Sequence, residues 1–169
     1  MIIRLVKTVM VASCALFALL VAYDNLVDYG SNYTFVRHTL SMDTTFPSNV
    51  LMGRAITSPT LWTLAYWLII AGEAATGLIL AFGSLRLAFC MRGPAALFNA
   101  AKPAVALGIG LGFLVWFTGF SVVGGEWFAM WQSKEWNGVP SAFRFLITII
   151  AVLIFVALPD QELDRRESA

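Results

Sequence analysis

The chain has 169 residues, of which 59% are hydrophobic and 12% charged, and its formal net charge is +1. A soluble domain averages roughly 45–50% apolar and about 25% charged residues, so this composition excludes an ordinary soluble domain and points to one membrane domain. With so little net charge, no basic run and no zinc-type spacing, a nucleic-acid partner is excluded as well.

A membrane-spanning helix needs about 20 mostly apolar residues. The first such stretch, Val6 to Tyr23, follows Arg4 and Lys7. A secretory signal opens in the same way, but this apolar run is long and no A-x-A-like cleavage site follows. It reads as an uncleaved anchor. Cys14 in this span and Cys90 in a later loop read as free thiols, because the topology separates them and no CxxC accompanies either.

The segment Asp24 to Pro59 is too long for a plain connection and is expected to carry structure or function of its own. Asn49 to Ile56 predicts a helical turn or two lying on the membrane surface. Within a helical 36–43, His38 and Met42 stand four apart and share a face. A His–Met pair with Asp43 nearby is the one cluster with ligand chemistry, suited to copper or a haem iron. His38 is, however, the only histidine in the chain. No metal site and no cofactor are therefore expected, and Asp24, Asp28, Arg37 and Asp43 read as loop salt-bridge partners.

The second span runs from about Thr60 to Phe82 and contains Glu73 near its midpoint. A carboxyl at membrane depth is costly and marks a site by default. Ser13, Cys14, Thr76, Thr118 and Thr148 are the polar groups expected near its depth. With no cation predicted there, the carboxyl is expected to be neutral and to donate a hydrogen bond, so Glu73→Gln should be milder than Glu73→Ala. The third span covers about Ala104 to Val123 and the fourth about Phe143 to Leu158. Pro59, Pro103 and Pro140 are read as marking the starts of the second, third and fourth. Ala104, Gly108 and Gly112 form a small-residue stripe for close helix contact, within the bundle or with another subunit. Between the last two spans, 124–142 is rich in Trp and Gly. Trp127, Trp131 and Trp136 are expected to form an aromatic belt and, with Asp24, Asp28, Arg37, His38, Met42 and Asp43, a candidate interaction surface.

Basic residues fix the expected orientation. Arg4, Lys7, Arg86, Arg92, Lys102, Arg165 and Arg166 fall on one side, against Arg37, Arg54, Lys134 and Arg144 on the other. Both termini are thus expected in the cytoplasm.

Three stretches carry a resemblance. YDNLVDYGSNYTFVRHTLSMDTTFPSN at Tyr23 to Asn49, AYWLIIAGEAATG at Ala65 to Gly77 and WFAMWQSKEWNG at Trp127 to Gly138 resemble the predicted small integral membrane proteins of bacteria (domain of unknown function 2165). The resemblance implies a four-helix protein of the bacterial inner membrane, and it supplies no activity.

The expected fold is all-α, a four-helix transmembrane bundle with a periplasmic cap built from two outer loops, 24–59 and 124–142. No Walker loop, HExxH, GxSxG or dinucleotide fingerprint is present, so no catalytic residue is named. The expected role is a non-enzymatic accessory or scaffolding subunit in lipid, docking another membrane protein or itself through the outer loops. The alternative is a small proton-coupled or ligand-binding protein, for a quinone or a cation, that uses Glu73. A weaker third reading links His38 to haem or quinone electron transfer.

Overall fold

The structure is a computed structural model that describes residues 1–163; Arg165 and Arg166, counted above for orientation, lie outside the described residues. Every regular element among the described residues is helical. Helix α1 is Ile2–Val27, α2 is Tyr29–Ser41, α3 is Pro59–Cys90, α4 is Ala95–Phe113 and α5 is Val139–Ala157. Four stretches are long and apolar enough to cross a membrane: α1, α3, α4 with its continuation to Trp127, and α5. Each contains most or all of the segment expected from hydropathy, and all but α5 are markedly longer.

Prolines explain two of the helix starts and not the third. Pro59 opens α3, and Pro140 lies in the first turn of α5. Both are places where the missing N–H costs nothing. Pro103 was expected to open the third span, but it lies inside α4, which begins after Pro94. There the ring removes the hydrogen bond to the Asn99 carbonyl. The apolar run of Ala95, Ala96, Leu97 and Phe98 carries the helix upstream of it.

Beyond Phe113 the same rod continues as a π-helix, Leu114–Trp127, of 14 residues. Such helices usually appear as single turns, and often at functional sites. A π-turn packs more residues per turn than an α-turn, which widens the helix where it faces the loop end of the bundle.

The bundle closes through small residues. A Cβ added to Gly77 would lie 2.6 Å from Leu19 Cγ, and one added to Gly108 2.7 Å from Leu80 Cδ2. Gly112 meets Thr76 and Ile149 in the same way. The small-residue stripe is therefore used inside the bundle, where it lets α3 and α5 approach α4.

At the end that carries the termini, basic residues are buried. Arg4, 2% exposed, donates to the carbonyls of Met91, Gly93 and Gln161. Lys7 and Lys102 both donate to the Leu158 carbonyl and to Asp160 Oδ2, at 2.7 and 2.5 Å for the carboxylate. Glu162 accepts from the Ala95 N–H at the start of α4. The segment 158–162 is thus strapped beneath α1 and α4.

At the opposite end the two long loops pack on one another. Thr44 Oγ1 donates to Ser133 Oγ at 2.9 Å, the Phe46 N–H donates to Gln132 Oε1 at 3.1 Å, and the Arg54 guanidinium lies 4.6 Å from the Trp127 ring. The segment 24–59 carries α2 and a short 3-10 turn, Met52–Arg54, inside the stretch where a surface turn was expected.

Candidate functional site

The site is built where α1 and α3 run antiparallel near the loop end. One stripe of α1 is buried throughout: Val11, Cys14, Ala18, Ala22 and Asn25, at spacings of three and four. It ends on Asn25, an amide. On the facing side of α3 stand Tyr66, Ile70 and Glu73, with the same spacing. Three polar side chains therefore meet between two apolar helix faces.

Their hydrogen bonds form a directed chain. The Tyr66 hydroxyl reaches the Asn25 backbone carbonyl at 2.9 Å and Asn25 Oδ1 at 3.2 Å. With its oxygen turned to Tyr66, the Asn25 amide presents Nδ2, which donates to Glu73 Oε2 at 2.6 Å. Glu73 is 2% exposed, yet it lines a cavity. No fully buried side-chain polar atom among the described residues lacks a partner. Oε1 makes no hydrogen bond to a described residue, so it is the carboxyl oxygen that opens onto the cavity.

The cavity has a volume of about 610 Å³, within the usual range of roughly 300–1,000 Å³ for ligand pockets. Helices α1, α2, α3 and α5 and the π-helix contribute to its wall, and α4 does not. The walls are mainly apolar and aromatic, with Phe17, Phe35, Trp116, Phe120 and Phe145 among them. Trp116 meets Phe145 edge-on at 4.4 Å between ring centroids, and Phe145 stacks on Phe17 at 4.2 Å. Gly119, Phe120, Val123 and Gly124 come from the π-helix, so the widened helix forms one side.

The other polar residues expected near Glu73 lie elsewhere. Ser13 is exposed and donates to the Val9 carbonyl, and Thr148 is exposed and donates to the Arg144 carbonyl. Thr76 is buried one turn beyond Glu73 and donates to the Gly72 carbonyl. Thr118 is half-buried on the π-helix and does not line the cavity. Cys14 sits in the apolar core. The register explains the shift: Gly77 packs on Leu19, so Glu73 is level with the end of α1 rather than its middle.

The loop residues divide into two groups. His38 Nδ1 lies 2.8 Å from Asp43 Oδ1, Arg37 lies 3.0 Å from Nε2, and the imidazole stacks on Trp136 at 4.8 Å. Both ring nitrogens are thus engaged. Met42 is at the C-cap of α2 in the left-handed region, φ 55°, and its side chain is buried among Val36, Leu40 and Tyr66. His38 and Met42 therefore do not converge on a common ligand. The described residues contain no group of three or more His, Cys, Asp or Glu side chains able to hold a metal ion. Asp24 lines the cavity and is exposed, Asp28 is exposed between α1 and α2, and Trp127 and Trp131 are exposed at the loop end.

Arg4, Lys7 and Lys102 entered the sequence reading only as topology markers, yet they make the second polar cluster of the molecule. Arg4 and Lys7 continue the buried stripe of α1. Burial alone would push the Asp160 carboxyl up. The hydrogen bonds from Lys102 and Lys7 outweigh it and hold the carboxyl below its ordinary 3.8.

The sequence profile of a family described as "Predicted small integral membrane protein (DUF2165)" matches residues 3–159. The chain belongs to this family. The match takes in both polar clusters apart from Asp160 and the strap beyond it, and it includes the three stretches that carry the resemblance. No curated protein matches the chain. No solved structure matches it either.

Proposed function

We propose that this membrane protein binds a small amphipathic molecule in the cavity between its bundle and its packed loops, with the polar end of that molecule on Glu73. The observation that carries the reading is the buried carboxyl whose Oε1 opens into a 610 Å³ space walled by aromatic rings. In this reading the termini lie in the cytoplasm of a bacterium and the loops in the periplasm, as the count of basic residues has it. The test is native mass spectrometry of protein extracted in mild detergent. Wild type is expected to release one small molecule per chain. Gly119→Leu, which puts bulk into the cavity wall, is expected to release none. Equal ligand release from wild type and Gly119→Leu, or none from either, would count against the cavity.

A second reading is an accessory subunit that docks another membrane protein at the loop end. It is favoured by Trp127, Trp131 and Phe46, which are about half exposed, and by Val50, which is 93% exposed. Much of the polar detail nearby is turned inward instead: His38 is held by Arg37, Asp43 and Trp136, and Arg54 lies against Trp127. A Trp131→Ala/Phe46→Ala double variant that abolishes a stoichiometric complex, while leaving cavity binding intact, would favour docking.

A further inference from the structure

We propose that the occupant of the cavity is a lipophilic cation, an inference that rests on the ligand-binding reading above. Three observations select the charge. First, the titratable side chains that line the cavity are the carboxyls of Glu73 and Asp24 and the Tyr66 phenol; among the described residues no Lys, Arg or His lines it. Second, the hydrogen-bond chain is directed. Tyr66 occupies Asn25 Oδ1, and Asn25 spends an N–H on Glu73 Oε2. The group left facing the cavity is Oε1 of a carboxyl already stabilised by a donor. Ionised, it complements a positive charge, and an anion would face it with repulsion. Third, the walls present the faces and edges of several aromatic rings, with Trp116 and Phe145 set edge to face. Aromatic faces attract cations, most of all where water is excluded.

The geometry also sets the shape of the molecule. The carboxyl is buried at the level of Asn25, near the end of α1, and Asp24, the residue before Asn25, is exposed and lines the same cavity. A cation held at Glu73 has Asp24 as a second carboxyl in the same cavity and its apolar substituents against the rings. A delocalised or alkyl-shielded cation meets both demands. A compact, strongly hydrated ion such as sodium gains nothing from the rings and gives up its water.

The probes are tetraphenylphosphonium and tetraphenylborate, which match in shape and differ in the sign of charge, and uncharged triphenylphosphine. Binding is measured by calorimetry on the full chain in lipid nanodiscs, with empty nanodiscs as the baseline. Saturable 1:1 binding of the phosphonium is expected, weakened roughly tenfold or more by Glu73→Gln, a change that keeps shape and hydrogen bonding and removes the charge. Gly119→Leu, which acts on space alone, is expected to abolish it. The borate is expected neither to bind nor to compete. Triphenylphosphine that binds as tightly as the phosphonium, with Glu73→Gln neutral, would overturn the cation and leave the cavity reading standing. Failure of all three probes to bind would overturn both. Thermal unfolding of each variant verifies the fold, and if Glu73→Gln does not fold, Asp24→Asn, at the exposed carboxyl of the cavity, takes its place with an expected loss of several-fold.

Discussion

Removal of one carboxylate tests the buried strap most sharply. Asp160 is 6% exposed, and its Oδ2 receives the ammonium groups of both Lys7 and Lys102, at 2.7 and 2.5 Å. Asp160→Ala leaves two buried ammoniums facing one another without a counter-charge. Breaking a buried pair in this way costs about 3–5 kcal/mol. Both lysines keep their bonds to the Leu158 carbonyl, and Lys102 keeps Asn99, which places the cost near the lower end, about 3 kcal/mol. For a chain of this size 1 kcal/mol moves Tm by roughly 2–4 °C, so the expected fall is about 6–12 °C. The assay is thermal unfolding in a single detergent, followed by tryptophan fluorescence. A fall of less than about 2 °C would refute the idea that the strap is held by charge. The triple change Lys7→Met, Lys102→Met, Asp160→Leu removes all three charges together and is expected to recover most of the loss, because apolar groups can replace a buried ionic cluster at little cost.

Further outcomes follow from the same physics. The Asp160 carboxyl is held below its ordinary 3.8, so its contribution is complete above that value and is lost as pH falls through the lower folded value. Acid unfolding curves should therefore show wild type losing Tm below about pH 4, with that component absent in Asp160→Asn. Tyr66→Phe removes the hydroxyl that orients Asn25 and should cost about 1 kcal/mol. Combined with Asn25→Ala in a double-mutant cycle, it should add less than the sum of the two single losses. Gly77→Ala forces a Cβ to within 2.6 Å of Leu19 Cγ and 3.0 Å of its backbone N, and should cost about 1–3 kcal/mol in thermal unfolding. Gly110→Ala meets nothing within 4 Å and should be neutral or stabilising by up to about 1 kcal/mol.

Much of the fold is legible from hydropathy alone, because lipid demands that each crossing satisfy its own backbone. Glu73 is legible too, as a charge in an apolar run. Asn25 is not, because the apolar stretch ends at Tyr23 and the next residues read as loop. The signal lies in the stripe of Val11, Cys14, Ala18 and Ala22, whose next step lands on Asn25. Arg4 and Lys7 lie on the same stripe at its other end. Their burial is hidden because the hydrogen-bond acceptors that permit it, the carbonyls of Met91, Gly93 and Leu158, are far away in sequence. The inward use of Met42 escapes a pattern argument for a similar reason. A left-handed C-cap swings the chain over at that residue and carries its side chain into the core.

The π-helix has a consequence for how the chain tolerates changes of length. A π-turn is an α-turn with one residue too many, so each turn of Leu114–Trp127 holds slack that an ordinary helix lacks. Deleting one residue from α3 would rotate Tyr66 away from Glu73 and break their shared face. A residue deleted between Leu114 and Trp127 can be absorbed by winding a turn back to α, with Trp116 and the Trp-rich loop kept close to their places. In descent, this is the stretch where insertions and deletions can accumulate without loss of the bundle, and the cavity wall is the surface they would remodel.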